Sequence, residues 1–316
     1  MREPRTEIIE PDDYQKGLKG YGIELLLTCA ARFTACVTRV ELSQLHLLCV
    51  KEIMARVAYL RLAPALAFVT FPAEGNLEMT WAGIPLRSGD IVFHGLGERM
   101  FQRTMRGCGW GAISLDPKTL VAHSRAIMEQ DLVPPPDGRV IRAPPSMARW
   151  LKHLHIKACR LAQTKPNFIV HPEVARALEQ DLIHALVTCL AQGDVVAEAP
   201  AQRRHACIMI RFAEVTASSP ALQLPIPELC QALGVSDRSF RICCAEFLGM
   251  SPNQYLRLRR LHAAWAELRH ADPETDRVAE VAQRHGFSQV GRFATAYHRL
   301  FGEKPSETLR HKIARP

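Results

Sequence analysis

Two stretches near the C-terminus decide how this chain is read: ELCQALGVSDRSFRICCAEFLGMSP, residues 228–252, and EVAQRHGFSQVGRFATAYHRLFGEKP, residues 280–305. Glu228 matches Glu280, Gln231 matches Gln283, Gly234 matches Gly286 and Ser236 matches Ser288, all at an offset of 52 residues. Gly249 and Gly302, and Pro252 and Pro305, match at 53, so the second copy has gained one residue just after its serine. A period of about 50 residues marks a duplicated unit.

Each copy has the marks of two helices joined by a tight turn. A helix of about eight residues ends at a glycine, which takes the left-handed conformation that such a turn needs. The serine two residues on is placed to cap the next helix, its oxygen accepting an orphan N–H. That second helix keeps one apolar face: Phe240, Cys243, Cys244 and Phe247 or Leu248 in the first copy, and Phe293, Ala296, Tyr297 and Leu300 in the second. The opposite face is free to enter the major groove of DNA, where its first turns meet base edges. One helix–glycine–helix would be an ordinary corner between helices; two copies in a basic segment favour DNA.

The charge is distributed to match. The chain carries 40 Lys and Arg against 32 Asp and Glu, a net charge of +8. Residues 203–316 hold 17 of the bases and 11 of the acids, so most of the excess lies in the last third. A basic domain favours an anionic partner, nucleic acid first. At 316 residues, with 47% hydrophobic and 23% charged, the chain is of ordinary globular composition and long enough for two domains. The opening MREPRTEIIEPDD has no apolar run, so no signal peptide is expected. The longest uncharged apolar stretch, Leu62 to Ala73, is too short to span a membrane and contains two prolines, so no membrane partner is expected. Ten scattered cysteines without a CxxC spacing indicate neither a zinc site nor a redox pair, and read as free thiols of a cytoplasmic protein.

Upstream, the first ~115 residues read as strands: IELLLTCA, FTACVTRVEL, QLHLLCVKE, ARVAYLRL, LAFVTFPA, LEMTWAGI, DIVFHG and GWGAISLD. Their spacing of about ten residues predicts an antiparallel sandwich or barrel. Glu74-Gly75-Asn76 and Arg87-Ser88-Gly89-Asp90 are turn sites. A short helix is expected over 117–129, and 133–145 reads as a proline-rich connector. Two helical stripes follow, one through Met147, Trp150, Leu151, Leu154, Ala158 and Leu161, the other through Val174, Leu178, Leu182, Ala185, Leu186, Cys189 and Leu190. These stripes look too long for one small barrel to cover, which predicts a homodimer through them. Residues 192–202 read as a linker, and the rest as helical.

GVSDRSF, GMSPNQYLRLRRL, VAQRHGFSQVGRF and YHRLFGEKPSE together resemble the AraC/XylS family of bacterial transcription regulators, over roughly residues 220–312. The resemblance implies an α+β two-domain protein. Residues 1–195 would form a cupin-like antiparallel β-barrel or sandwich with an appended helical pair, for sensing and dimerisation. Residues 196–219 would be a linker and the first helix of the DNA-binding domain. Residues 220–316 would form an all-α domain with two helix-turn-helix units joined by a long helix near 251–269, entering successive major grooves of double-stranded DNA.

By carry-over and helical phase, the DNA-facing residues are Ser236, Asp237, Arg238, Ser239, Arg241 and Ile242 in the first unit. In the second they are Ser288, Gln289, Val290, Arg292, Thr295 and Arg299. Arg238 and Arg241 are the natural base readers, since arginine forks onto guanine O6 and N7. Ile242 stands where relatives often carry arginine, and suits a thymine methyl. Gly291 and Ala294 offer the groove almost no side chain. Ser251, Lys304 and Ser306 are candidate phosphate anchors at helix N-termini. Arg257, Arg259 and Arg260 on the connecting helix are equally readable as DNA contacts or as solvated and ion-paired charges.

No catalysis, cofactor or metal is expected. The only histidines before residue 120 are His46 and His94, without the His-x-His pair that an enzymatic cupin would use, and the scattered cysteines argue against a zinc-bearing repair methyltransferase. Trp81, Phe93, Phe101 and Trp110 are candidates to line an effector cavity or to be plain core. The resulting reading is a transcription activator that senses a small molecule and, as an activator, contacts RNA polymerase. The competitor is a ligand-independent regulator whose N-terminal domain only dimerises; a tightly filled barrel would favour it.

Overall fold

The structure, a computed structural model, describes residues 5–9, 21–29, 34–74, 79–197, 199–217 and 223–310. The predicted turn at residues 74–76 and the C-terminal end of the resemblance at 311–312 fall largely outside them.

The N-terminal region is built of two antiparallel sheets. Its elements are β1 (Arg5–Ile9), β2 (Tyr21–Leu27), β3 (Ala35–Glu41), β4 (His46–Glu52), β5 (Arg56–Leu62), β6 (Ala67–Glu74), β7 (Met79–Trp81), β8 (Ile84–Pro85), β9 (Asp90–Phe93), β10 (Arg99–Thr104) and β11 (Cys108–Leu115), then α1 (Pro117–Met128), β12 (Arg139–Arg142), α2 (Pro145–Thr164), α3 (Pro166–Ile169), α4 (Pro172–Gln192) and β13 (Asp194–Val195). The larger sheet runs β1-β3-β4-β11-β6-β9-β12-β13 and the smaller β2-β5-β10-β7-β8. Among the described residues the predicted strand set lacked β1, β10 and the pair β12–β13. The proline-rich connector and the linker thus each lend a strand to the larger sheet's edge, pairing Ile141 with Val195.

Side-chain alternation sorts these strands into layers. Leu48 and Val50 of β4, Ala58 and Leu60 of β5, Met100 and Trp110 meet between the sheets. Leu47 and Cys49 point the other way, into a core roofed by α1, α2 and α4. On the far side, Val57, Tyr59 and Phe101 of the smaller sheet pack against the C-terminal domain. Most strands are therefore buried on both faces, which explains why they read as nearly continuous apolar runs.

A buried ion pair joins the two sheets where the chain passes from β4 to β5. Arg56 Nε and NH2 donate to both carboxylate oxygens of Glu52, at 2.8 and 3.0 Å, and Trp110 Nε1 donates to Glu52 at 3.1 Å. His94, one of the two candidate strand histidines, is buried and held by Thr70 Oγ1 at 2.8 Å and Glu98 at 3.1 Å.

The helical stripes correct the argument for the dimer interface. Leu151, Leu154, Ala158, Leu182, Ala185, Leu186, Cys189 and Leu190 are buried within their own chain, against each other and the larger sheet. Leu182 has no exposed surface, so an aspartate there would break the core rather than split a dimer. Trp150 of the first stripe does remain 42% exposed.

The four candidate cavity aromatics do not share one cavity. Trp81 and Trp110 lie between the sheets, Phe93 faces the helical roof, and Phe101 faces the C-terminal domain. The space between Leu60, Trp81, His94 and Trp110 is about 10 Å³, room for a single water at most.

Candidate nucleic-acid interface

The C-terminal region comprises α5 (Pro200–Val215), α6 (Ile226–Leu233), α7 (Asp237–Leu248), α8 (Pro252–His270), α9 (Val278–Arg284), α10 (Val290–Phe301) and α11 (Pro305–Arg310). Helices α6 and α7 form the first helix-turn-helix unit, α9 and α10 the second, and α8 joins them.

The first unit forms as its sequence demands. Gly234 ends α6 at φ 67°, the left-handed region. Ser236 then caps α7, its Oγ accepting from the Ser239 N–H at 3.2 Å. Phe240, Cys243, Cys244, Phe247 and Leu248 are all buried. Asp237, Arg238, Arg241 and Ile242 stand exposed on the other side, with Ser239 half-buried beside them. One contact was not anticipated: Arg241 Nε donates to Asp237 at 2.8 Å, one turn back. Asp237 therefore holds the Arg241 guanidinium along the outer face. A pair this exposed is worth little, so it orients Arg241 without locking it away from a base.

The second unit departs from the expected pattern. Gly286 makes the same left-handed turn, at φ 74°. Ser288, however, does not cap. Helix α10 begins one residue later, with Gln289 at its N-cap and no side-chain cap bond. The one-residue gain after the serine is the reason: it displaces the hydroxyl from the position its counterpart Ser236 holds. Phe293, Tyr297 and Leu300 are buried, as the periodicity predicted. Gln289, Arg292, Thr295 and Arg299 are exposed and Val290 is half-buried. Thr295 Oγ1 donates back to the Gly291 carbonyl at 3.0 Å. Arg292 and Arg299, with Gln254 and Arg257 of α8, line an open groove of about 960 Å³ between the connecting and second recognition helices.

The candidate anchors are partly occupied by local bonds. Ser251 caps α8 in a reciprocal box with Gln254, which accepts the Ser251 N–H at 2.9 Å. The Lys304 N–H goes to Glu307 at 2.7 Å, and Ser306 lies half-buried in the first turn of α11. On α8 the three arginines separate. Arg257 lines the groove. Arg260 lies over the Phe287 ring at 5.2 Å and donates to the Gly286 carbonyl. Arg259 turns inward, donating to Thr216 Oγ1 at 2.8 Å and to Glu24 of β2 at 3.2 Å.

Residues 229–311 match the family model described as a helix-turn-helix domain. Over 145 residues the chain is 34% identical to a probable thc operon regulatory protein of Rhodococcus erythropolis, an alignment covering 45% of this chain and 42% of that one. Over 89 residues it is 34% identical to XylDLEGF operon transcriptional activator 1 of Pseudomonas putida, covering 28% of this chain and 27% of the other. A solved structure of a probable AraC family transcriptional regulator from Rhodopseudomonas palustris is 32% identical, covering 35% of this chain and all of that one, with a TM-score of 0.30. The matched stretch spans less than half the length of the two operon regulators. The chain belongs to the AraC/XylS family of regulators, and the relatives named here are regulators rather than enzymes.

Proposed function

We propose that the protein is a sequence-specific double-stranded-DNA-binding transcription regulator, acting as an activator in the cytoplasm and contacting RNA polymerase. The observation that carries this reading is the pair of helix-turn-helix units, each burying one face of its second helix and leaving arginines on the other: Arg238 and Arg241, then Arg292 and Arg299. The activator role draws on relatives named as activators. Among the described residues no helix is long and apolar enough to cross a membrane. The residues assigned to DNA are those of the sequence reading, with Ser288 demoted from helix cap to flanking position and Ser251, Lys304 and Ser306 as phosphate contacts.

The N-terminal two-sheet domain, cupin-like in this reading, has two roles to choose between. The tight packing of Leu60, Trp81, His94 and Trp110 between the sheets favours the ligand-independent, dimerising role. A cleft of about 270 Å³ outside the sheets, where Trp81, Arg99, Met100 and Phe101 face Arg203, Met209 and Phe247, favours a small-molecule effector. Its volume is close to the ~300 Å³ at which small-molecule sites begin. Dimerisation through the helical layer rests on Trp150, whose exposed ring lies 6.0 Å from that of His184.

Fluorescence anisotropy with duplex DNA at graded salt tests the main reading. Log affinity should fall with log salt at a slope near −0.9 per phosphate contact. Salt-independent binding, or preference for single strands, would contradict it.

A further inference from the structure

On the roofed face of the larger sheet, three buried side chains bring their donor atoms within 4.8 Å of one another: Cys49 of β4, and His155 and Cys159 of α2. The four-residue step from His155 to Cys159 stacks the two on the helix face that covers the sheet. Cys49 meets them because it points to the roof while its neighbours Leu48 and Val50 point between the sheets. Residues 106 and 110 positions away in sequence from Cys49 thus converge, which no local spacing announces.

His155 is the group that needs an explanation. It has no exposed surface, and neither Nδ1 nor Nε2 makes a well-formed hydrogen bond, though the backbone of Ala112 and Leu48 lies beside the ring and counters part of the effect of burial. Buried polar side chains are normally satisfied, so an imidazole this poorly bonded in a packed core is an exception to account for. The fold makes room for it. A Cβ on Gly111 would sit 2.8 Å from His155 Cε1 and 2.7 Å from the Phe71 ring, so a side chain on β11 would displace the imidazole. Phe71 holds the ring edge-on at 5.1 Å. Two buried thiols can be accounted for by bonding each other, as Cys159 does with Cys49. That pairing leaves the imidazole unexplained.

We propose that Cys49, His155 and Cys159 form a buried three-coordinate site, two sulfurs and one nitrogen, for the monovalent copper ion Cu⁺. Thiolate sulfur and imidazole nitrogen select thiophilic ions. Among the described residues no fourth His, Cys, Asp or Glu joins the cluster. Zn²⁺ normally takes four ligands, with water completing an open site, whereas these three donors are buried. Cu⁺ accepts the lower coordination that three donors supply. Each thiol releases its proton to solvent as its sulfur coordinates, and the oxidation state of the metal does not change. The backbone of Ala112 and Leu48 borders the ring, where a carbonyl can take the N–H of the nitrogen that does not bind the ion. The site is independent of the DNA-binding reading: it stands or falls on the N-terminal region alone.

The test is anaerobic titration of the reduced full chain with Cu⁺ against a chromogenic Cu⁺ chelator. One ion per chain should be retained. His155→Leu and Cys159→Ser should each weaken retention by more than the roughly 10–100-fold typical of losing an outer-shell partner. Cys29→Ser and Cys207→Ser, at exposed thiols, should leave it unchanged. Because a core variant can fail to fold, X-ray absorption on the copper-loaded wild-type chain gives a second readout. Two sulfurs and one nitrogen around copper support the site; an all-sulfur or four-coordinate shell overturns it. Failure to retain Cu⁺, formation of a Cys49–Cys159 disulfide that abolishes binding, or retention of Zn²⁺ in preference to Cu⁺ would equally overturn the assignment.

Discussion

The two helix-turn-helix units descend from one pattern but are held differently. The first shares its core with the smaller sheet: Val57, Tyr59 and Phe101 pack with Met209, Phe212, Phe240 and Tyr255. A line of rings runs from strand to recognition helix, Tyr59 to Phe101 at 5.0 Å, Phe101 to Tyr255 at 6.2 Å, Tyr255 to Phe212 at 5.5 Å and Phe212 to Phe240 at 4.9 Å. The second unit builds a core of its own around Val281, Phe293, Tyr297 and Leu300, and reaches the sheet through Leu26 and α8. There, His262 Nε2 donates to the Leu27 carbonyl at 3.1 Å and Arg259 pairs with Glu24. The first recognition helix is therefore tied to the N-terminal domain through its packed core, and the second unit through Leu26 and polar bonds along the connecting helix.

The sharpest way to break this contrast is to empty the two cores separately. Phe212 and Phe293 are both buried, at 0% and 1% exposure. Phe212→Ala and Phe293→Ala should each cost about 3–5 kcal/mol in urea unfolding. Only Phe212→Ala should also raise hydrogen exchange in β5 and β10, because its cavity opens onto the sheet. Equal exchange in both variants would mean that the first unit is not coupled through its core.

The next test is pH. Burial pushes the His262 pKa down to about 4, with its bond to the Leu27 carbonyl pulling weakly the other way. The unfolded chain protonates this histidine near its ordinary value of ~6.5. Stability should therefore be flat above pH ~6.5, fall as the pH drops towards 4, and level off below. Each pKa unit is worth about 1.4 kcal/mol. His262→Asn should remove part of the slope, read from urea midpoints across pH. An unchanged slope would mean that His262 is not what ties α8 to β2.

The duplicated unit was legible because it is written locally. A glycine, a serine and an apolar face fall within some two dozen residues, and the buried faces of α7 and α10 came out as periodicity predicted. The missing cap at Ser288 was legible only in part: the one-residue gain was visible, its effect on the helix start was not. The docking of the first unit was hidden for another reason. Val57, Tyr59 and Phe101 sit in strands buried on both faces, and such strands show no alternation to say which neighbour covers which face. The apolar stripes of α2 and α4 misled in the same way, since a stripe does not tell whether the chain's own sheet or a second copy covers it. Their burial moves the dimer test to Trp150: Trp150→Asp should leave the fold intact and yield monomers by light scattering, if the helical layer is the interface.

Base reading sharpens the comparison further. Arg238→Ala or Arg241→Ala should relax base preference in one half of the site, each by about 1–3 kcal/mol of discrimination. Arg299→Ala should weaken all sequences about equally, since a phosphate contact carries no direct sequence information. Selection from randomised duplexes checks both. Equal information content under the two units, with Arg292→Ala leaving the second half intact, would overturn the division of labour between them.

The smallest effect falls on Gly291, in the first turn of the uncapped helix α10. Glycine inside a helix costs roughly 1 kcal/mol relative to alanine. A Cβ at Gly291 would meet nothing within 4 Å in the free protein, so neither packing nor backbone conformation demands glycine there. Gly291→Ala should accordingly stabilise the chain by about 0.4–1 kcal/mol, through a less flexible unfolded state and better helix propensity. What remains for the glycine is the bound state, where the absence of a side chain lets the helix lie closer to the duplex. If that approach matters, the stabilised variant should bind DNA more weakly at every salt concentration while its salt slope, set by the phosphate contacts, stays the same. A Gly291→Ala protein that gains stability and keeps full affinity would show that the second helix rests in the groove on Arg292 and Arg299 alone.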